Sequence, residues 1–323
     1  MSNLNRRDLL RWSLAASVAT LPTAAIAQPV GKNRVLRIAH LTDAHVQPEH
    51  GAADGLRACF RHAQASHKPD LIVAGGDQIM DALAKPADRV QLQFDLWNQI
   101  VKEECTTPIH YVVGNHDVWG WADAKASGTT GTEPRYGKAW ALEAWGMTKP
   151  YYSVEKAGWH MVVLDSAQFD GGGAYVAMLD EEQFAWLEAD LARVDPATPI
   201  IVFSHIPILA MCPLLFDEKS PTTQGRFPKS RWGFSRALLH VDARRIKNLF
   251  RKHANVKLAA SGHIHLRDRV DYLGVTYLCN SAVSAGWWRG PMQEFSHSYT
   301  IIDLFADGTF DYQVVDYGWK KPP

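Results

Sequence analysis

The chain has 323 residues, of which 46% are hydrophobic and 21% are charged, a composition typical of a globular protein rather than a disordered one. Lysine plus arginine equals aspartate plus glutamate, at 34 each, so the chain as a whole lacks the cationic charge that long nucleic-acid contacts usually require. Nucleic acid is therefore not an expected partner.

The N-terminus has the features of an export signal. Arg6 and Arg7 form a twin-arginine start, residues 12–24 are mostly apolar or small, and Ala25–Ala27 is an A-x-A cleavage pattern. The pattern resembles a twin-arginine signal peptide, which implies recognition by the bacterial twin-arginine export machinery and a periplasmic or secreted protein. A membrane anchor is the alternative, but the apolar stretch is shorter than the ~20 residues that a spanning helix needs. We expect no other segment to span a membrane.

Three apolar segments follow, separated by helical patterns. Leu36–Leu41, Leu71–Ala74 and Ile109–Val113 are predicted to be buried strands. Between them, apolar residues recur at helical spacing around Phe60 and around Phe94. Strand, helix, strand, helix, strand is the order of a parallel α/β sheet.

The second half of the chain continues with strands and helices. The predicted strands are Tyr151–Val154 and His160–Leu164, which suggest a hairpin, then Ile200–Phe203 and Val256–Ala260. Asp180, with Gln183 three residues later, predicts a helix N-terminus, and a basic helix is expected around residues 243–253. The tail from Val270 to Tyr317 alternates as antiparallel strands do, with a hairpin turn at Ala306–Gly308.

Two segments interrupt this pattern. Residues 118–148 contain Trp119, Trp121, Trp140 and Trp145 without clear periodicity, and they form either a lid or substrate wall, or a cap on an exposed edge of the core. A second irregular insertion is expected at about residues 208–238. No internal repeat or composition shift marks a second domain. We therefore predict a signal peptide at residues 1–27 and a single domain at residues 28–323 with these two insertions.

Five apolar strands are each followed by side chains that can bind metal. They are Asp43 and His45, Asp77, Asn115, His205, and His263 and His265. Because the carboxyl ends of strands line the ligand crevice of open α/β sheets, these side chains should converge. One such residue is more often a turn or capping residue than a ligand, but five coincidences of the same kind argue against that interpretation.

The residue types indicate the chemistry. Two aspartates, four histidines and one asparagine, with no cysteine, form an oxygen and nitrogen set suited to Fe, Mn, Zn or Co. Seven ligands are too many for one ion but suit two ions that share a carboxylate, an arrangement that clamps phosphoryl transfer. Two divalent ions with two aspartates and a hydroxide would carry a net charge of about +1, which attracts a phosphate ester.

The combined motifs resemble a known family. D-x-H at Asp43, G-D at Gly76, G-N-H-D at Gly114, the lone His205 and G-H-x-H at Gly262 occur in the order found in calcineurin-like metallophosphoesterases. The resemblance covers roughly residues 34–305. It implies a four-layer α/β/β/α sandwich of two mixed sheets with a dinuclear metal centre.

The same resemblance implies roles for the candidate residues. In that family pattern Asp43, His45 and His265 hold one ion, Asn115, His205 and His263 hold the other, and Asp77 bridges them. A metal-bridging hydroxide attacks phosphorus, and His116 protonates the leaving oxygen or stabilises the transition state. The function implied is an exported phosphodiesterase or phosphatase for small or medium-sized phosphate mono- or diesters. The alternative is a non-catalytic metal-binding or scaffold protein of the same fold in the cell envelope.

The sequence also departs from parts of the family. Purple acid phosphatases have a tyrosine ligand three positions after the aspartate of their second motif, and Met80 stands here, so an iron-phenolate site is not expected. Protein serine/threonine phosphatases have an aspartate there that orients the catalytic histidine; here Asp81 or Asp117 could do so, and the sequence leaves both open. Arg289 is either a phosphate contact or a surface or packing residue, and Asp165 is interpreted as structural.

Overall fold

Two mixed β-sheets face each other at the centre of the fold, and helices cover the outer face of each sheet. The computed structural model describes residues 32–172, 175–216 and 235–320, and the described residues from Asn33 onward belong to one compact unit. The predicted signal peptide and residues 217–234 of the second predicted insertion lie outside the described residues. In the part that is described, no helix is both long and apolar enough to cross a bilayer.

The strands and helices are as follows. In chain order the strands are β1 (Arg34–Leu41), β2 (Leu71–Ala74), β3 (Ile109–Tyr111), β4 (Tyr152–Lys156), β5 (Trp159–Leu164), β6 (Ala167–Phe169), β7 (Tyr175–Ala177), β8 (Ile200–Ser204), β9 (Val256–Ser261), β10 (Asp268–Tyr272), β11 (Val275–Cys279), β12 (Ser298–Phe305) and β13 (Phe310–Asp316). The α-helices are α1 (Ala52–His62), α2 (Ala87–Glu104), α3 (Ala124–Ser127), α4 (Ala139–Trp145), α5 (Glu181–Arg193) and α6 (Ala243–Phe250). A π-helical turn, Ala63–His67, extends α1, and Cys212–Leu215 is a 3₁₀ helix.

The strand order explains how the two sheets are built. One sheet has the order β13-β12-β1-β2-β3, and the other has the order β10-β11-β9-β8-β5-β4. Strands β1, β2 and β3 are parallel, as predicted, and so are β5, β8 and β9. The tail was predicted to be antiparallel, which holds within the β10–β11 and β12–β13 pairs, but β11 also pairs in parallel with β9. The chain passes from β9 to its parallel neighbour β11 through β10 and without a helix. Alternation of polar and apolar residues within a strand does not reveal which strand it pairs with.

Alternation along the central strands creates the four layers. In β1, Leu36 and Ile38 contact the core between the sheets, whereas Ala39 and Leu41 contact the core under the helices. Successive side chains of a strand point to opposite faces, so a strand covered on both sides is apolar throughout. The outer cores contain α1 and α2 on one sheet and α5 and α6 on the other. The predicted α/β/β/α sandwich is confirmed.

The tryptophan-rich segment packs onto the edge of one outer core. Trp119, Trp121 and Trp140 are buried, and the Trp140 ring stacks on Phe94 of α2 with centroids 5.9 Å apart. The indole Nε1 of Trp119 donates a hydrogen bond to the carbonyl of Lys85. These contacts favour the core-capping alternative over a lid for these three residues.

A polar network fixes α5 on its sheet. Asp180 caps the helix as expected, accepting a hydrogen bond from the Gln183 amide at 2.8 Å. Further along the helix, Asp190 Oδ2 lies 2.7 Å from Nε2 of the buried His160 on β5. Burial opposes the protonation of His160, but Asp190 and Glu155 prevail and raise the pKa of His160 above its ordinary value.

We predict that His160 makes the free energy of unfolding depend on pH. A histidine whose folded pKa is raised contributes its full stabilisation below its unfolded pKa of about 6.5 and loses it as the pH rises through the folded pKa. The urea midpoint of the wild type should therefore fall more between about pH 6 and pH 9 than that of His160→Gln, which stays polar but does not titrate. Equal changes for the two proteins would show that His160 is not involved.

Candidate metal centre

The seven candidate ligands lie together at the edge where strands of both sheets end. Asp43 and His45 follow β1, Asp77 follows β2, Asn115 follows β3, His205 follows β8, and His263 and His265 follow β9. Neighbouring parallel strands end at the same edge, so each sheet delivers its ligands to one place. All seven residues are buried, with at most 8% of any one exposed. The convergence expected from the strand ends is therefore present, whereas the roles of the residues stay predictions.

The first cluster contains Asp43, His45 and His265. Their ligand atoms lie within 4.8 Å of one another. The Nε2 atoms of His45 and His265 are only 3.1 Å apart, and Asp43 Oδ1 lies 3.4 Å from Nε2 of His265. Asp43 Oδ1 is buried and has no hydrogen-bond partner among the described residues. Three potential metal-ligand atoms thus surround one point, and no hydrogen-bond donor of the described residues satisfies the Asp43 oxygen.

The second cluster contains Asp77, His205 and His263. Nε2 of His205 lies 3.1 Å from Asp77 Oδ2, 3.2 Å from Asn115 Oδ1 and 3.2 Å from Nδ1 of His263. Asp77 Oδ2 is also 3.6 Å from Nε2 of His45, which belongs to the first cluster. Asp77 therefore occupies the position between the clusters that a bridging ligand requires.

Backbone carbonyls fix the four histidine rings. Each ring directs one nitrogen away from the centre toward a carbonyl: His45 Nδ1 toward Met80 at 3.4 Å, His265 Nδ1 toward Ala285 at 2.5 Å, His205 Nδ1 toward Gly75 at 3.0 Å, and His263 Nε2 toward Ala237 at 3.0 Å. Because a carbonyl can only accept, that nitrogen carries the proton in a neutral ring, and the inner nitrogen has a free lone pair. With all four rings neutral, two lone pairs would face each other at 3.1 Å in the first cluster and at 3.2 Å in the second. A cation between each pair would relieve this repulsion, so the residues fit two metal ions.

The charges agree with cation binding. Burial lowers the pKa of His45 and of His263 to about 3, which keeps both rings neutral and able to bind metal. Burial also opposes the charged form of His205, but Asp77 and Asp43 raise the pKa of His205 to about 9. Burial disfavours the ionised form of Asp77, yet His205 and the other histidines hold its pKa well below its ordinary value. A metal ion in the second cluster would displace the proton that His205 otherwise holds.

The ligand loops have an unusual backbone. Five of the seven candidate ligands have positive φ angles: Asp43 (56°), His45 (43°), Asp77 (55°), His263 (72°) and His265 (61°). Residues with a Cβ rarely adopt this left-handed conformation, and it persists where the surrounding structure holds it. Here Asp43 N donates to the Gly76 carbonyl and His45 N donates to the Asp77 carbonyl, at 3.0 and 2.9 Å. These tight turns aim both side chains of D-x-H and of G-H-x-H into the centre.

Two motif glycines permit close approach of the loops. A Cβ on Gly114 would lie 2.2 Å from Asp77 Oδ1, and a Cβ on Gly262 would lie 2.3 Å from Asp43 Oδ2. Nonbonded atoms do not approach a Cβ this closely, so any other residue at these positions would push a ligand carboxylate aside. Gly114 therefore leaves room for the Asp77 carboxylate, and Gly262 leaves room for the Asp43 carboxylate.

Asp117 and Asp81, which the sequence left as alternatives, have different places. The Asp117 carboxylate accepts hydrogen bonds from the amides of Gly114, Asp77, Gln78 and Ile79, so it ties the loop after β3 to the loop after β2. Asp81 Oδ1 lies 3.7 Å from Nδ1 of His116. This distance is too long for a hydrogen bond, and Nδ1 of His116 has no partner among the described residues, but Asp81 is the alternative whose carboxylate faces His116.

His116 lies at the open side of the centre. Its ring meets the His45 ring edge-on with centroids 4.8 Å apart, and 27% of its side chain is exposed, far more than any candidate ligand. Its backbone amide donates to Asp77 Oδ1 at 2.8 Å. One ring nitrogen also lies within 4.8 Å of ligand atoms of His45 and Asp77. Measuring the metal content of a His116 variant therefore distinguishes a metal ligand from a proton donor.

Two aromatic residues contact candidate ligands although no sequence motif marks them. Trp287 contacts the ring of His265, with centroids 4.6 Å apart, and Tyr175 of β7 contacts His263 at 6.2 Å. No motif marks either residue, because each depends on how a loop turns. Arg289, the candidate phosphate contact, is exposed and lines a cavity of about 320 Å³ with His297 and Trp319.

Asp165 has the structural role that was expected. Its buried carboxylate forms an ion pair with Lys138, and Gln168 donates to the same oxygen. The Lys138 ammonium also lies over the Trp121 ring, 5.1 Å from the centroid. The carboxylate therefore holds the tryptophan-rich segment against β6.

The sequence and the structure were compared with known proteins. The family model described as calcineurin-like phosphoesterase matches residues 36–267. The human serine/threonine-protein phosphatase CPPED1 is 24% identical over 265 residues, which cover 79% of this chain and 74% of that protein. Purple acid phosphatase 15 of Arabidopsis thaliana is 31% identical over 123 residues, which cover 36% of this chain and 20% of that protein.

A solved structure has the same fold. The dimetal phosphatase from Danio rerio matches with a TM-score of 0.59 and 15% sequence identity, covering 88% of this chain and 100% of that chain. At this identity the likeness concerns the fold alone. It agrees with the four layers found here.

We predict that the chain binds two metal ions and that each cluster can be disabled separately. After reconstitution with Mn²⁺ and gel filtration, elemental analysis should give about two ions for the wild type and about one for His265→Ala or His263→Ala, because loss of a ligand weakens one site. His253→Ala is the control, since His253 lies between α6 and β9, on the side where β9 begins and away from the ligands that follow its end. Two ions in every variant would contradict the assignment.

Proposed function

The chain belongs to the calcineurin-like phosphoesterase family, and we propose that it is an exported hydrolase of phosphate esters with a dinuclear metal centre. The observation that carries the proposal is the convergence of two pairs of histidine nitrogens on either side of Asp77. Two ions bound there would supply an activated water and neutralise the charge of the phosphoryl group. Fe, Mn, Zn and Co all suit this ligand set.

The side chains around the ions divide the remaining work. Asp43 and Asp77 supply two negative charges in a buried site, so the loaded centre keeps the excess positive charge that draws an anionic ester. His116 lies beside this centre and is the candidate that protonates the leaving oxygen. With Nδ1 of His116 turned toward Asp81, Nε2 remains available to the substrate. Asp81 is a positioning residue in this scheme.

The relatives support hydrolysis of monoesters, and diesters remain within the proposal. CPPED1 and purple acid phosphatase 15 both have names that describe phosphatases. Met80 stands where the motif resemblance implies the tyrosine ligand of purple acid phosphatases, and its backbone carbonyl faces His45 at 3.4 Å. The site proposed here therefore has no phenolate ligand at that position.

We predict that His116→Ala lowers the rate without loss of metal. Removal of a general acid typically costs about 100-fold or more in kcat, whereas the ion content should stay at that of the wild type because His116 is not a ligand in this scheme. The substrates are p-nitrophenyl phosphate and bis-p-nitrophenyl phosphate. His110→Ala is the matched control, because His110 lies on β3 with its ring against Tyr152 rather than at the ligand edge.

Two results would overturn the scheme. Loss of an ion in His116→Ala would make His116 a ligand. A fully loaded wild type that hydrolyses no member of a broad phosphoester panel would favour the non-catalytic metal-binding or scaffold protein instead.

We propose that residues 1–27 direct export through the twin-arginine machinery, as their pattern indicates. Replacing Arg6 and Arg7 together by lysine should keep the protein in the cytoplasm of a bacterial host, because the pair is the feature that the machinery reads. Cell fractionation with immunodetection measures this, and Arg11→Lys is the control for charge-conserving change nearby. Unchanged export of the double variant would rule out this route.

A further inference from the structure

The loop that follows β11 is fastened to the D-x-H segment. This tryptophan loop, residues 283–288, donates a hydrogen bond to each of four successive carbonyls: Val283 N to Thr42 at 2.9 Å, Ser284 N to Asp43 at 3.2 Å, and Trp288 Nε1 to Ala44 at 2.8 Å and His45 at 3.1 Å. The loop therefore cannot shift without moving the segment that carries Asp43 and His45.

The two tryptophans of this loop point to different places. Trp288 is fully buried, whereas Trp287 is half-buried and its ring lies 4.6 Å from the His265 ring and 6.1 Å from the His45 ring. Both residues have positive φ angles, 54° for Trp287 and 65° for Trp288. Large side chains rarely adopt this conformation, and such strain is concentrated at ligand-binding sites. The left-handed turn is what brings an indole out of the core and onto the first metal cluster.

The position of His265 does not require Trp287. Nδ1 of His265 already donates to the carbonyl of Ala285 at 2.5 Å, and Nε2 is directed at Asp43 and His45. The ring is thus oriented by the hydrogen bond at Nδ1, which leaves Nε2 aimed at the centre. An indole beside it adds a flat, partly exposed surface rather than a needed support.

The rings of Trp287 and His116 both contact the same candidate ligand, His45. The His116 ring contacts His45 edge-on at 4.8 Å, and the Trp287 ring contacts His45 at 6.1 Å. A leaving group that accepts a proton from His116 would therefore lie above the first cluster, beside the indole. We propose that Trp287 stacks on a planar aromatic group of the leaving alcohol, so that the enzyme prefers esters of aryl or nucleoside alcohols. This inference rests on the proposed phosphoesterase function.

The test compares substrates within each variant. Phenyl phosphate, adenosine 5′-monophosphate and ethyl phosphate are assayed with the metal-loaded wild type, Trp287→Leu, which keeps apolar bulk without a ring, and Trp287→Phe, which keeps a ring. In Trp287→Leu the kcat/KM ratio of an aromatic ester to ethyl phosphate should fall about tenfold, equivalent to about 1.4 kcal/mol, mainly through KM. Trp287→Phe should restore most of the ratio. A fall for phenyl phosphate alone assigns the site to aryl alcohols, and a fall for the nucleotide alone assigns it to nucleosides.

A matched control and two outcomes complete the kinetic test. Trp145→Leu removes another half-buried indole, one stacked on Tyr111 at 5.0 Å, and should leave the ratio unchanged. An unchanged ratio in Trp287→Leu for both aromatic esters would overturn the inference. So would an equal loss for ethyl phosphate, especially with loss of metal, because that pattern indicates support of His265.

Binding separates this inference from the proposed function. Calorimetry of the metal-loaded protein compares phenylphosphonate with methylphosphonate, neither of which is hydrolysed. If no ester is turned over, the proposed hydrolase fails, yet tighter binding of phenylphosphonate that is lost in Trp287→Leu would still support the aromatic site. Equal affinities of the wild type for the two phosphonates would overturn it.

Discussion

The crowding of buried ligand atoms at the junction of the two sheets is the constraint on which the rest of the structure depends. The first sheet supplies Asp43, His45 and Asp77, and the second supplies His205 and the two histidines of G-H-x-H. Two carboxylates and inward-facing lone pairs in a buried site are unfavourable unless cations balance them. Metal binding would therefore hold the carboxyl ends of the two sheets together, and the centre would stabilise the fold as well as perform chemistry.

This constraint explains the backbone around the centre. Ligand side chains from separate loops can meet only if the loops approach closely, which is why Gly114 and Gly262 have no room for a Cβ. It also explains why Asp117 is not a ligand: both of its oxygens are used by amides of the neighbouring loops. Within G-N-H-D, Gly114 allows the loops to approach closely and Asn115 is a candidate ligand. His116 is a candidate proton donor, and Asp117 ties the two loops together.

Much of this could be read from the sequence because the signals are local. An apolar strand followed by a polar turn is visible at Asp43 or His205, and the cap at Asp180 follows from side-chain chemistry over three residues. What could not be read depends on distant contacts. The choice between Asp81 and Asp117 depends on which loop each faces, and the parallel pairing of β11 with β9 depends on long-range register.

The tryptophan loop separates two demands that a phosphoesterase must meet. Ligand geometry has to stay fixed, and here it is secured by carbonyls that bind the histidine rings and by the two hydrogen bonds of Trp288. Recognition of the alcohol has to differ between enzymes, and it needs a side chain that can change without moving a ligand. Trp287 meets that requirement, because its ring lies against His265 while the polar contacts of His265 are made by other residues. A substitution at this position would then change selectivity and leave the ligand geometry in place.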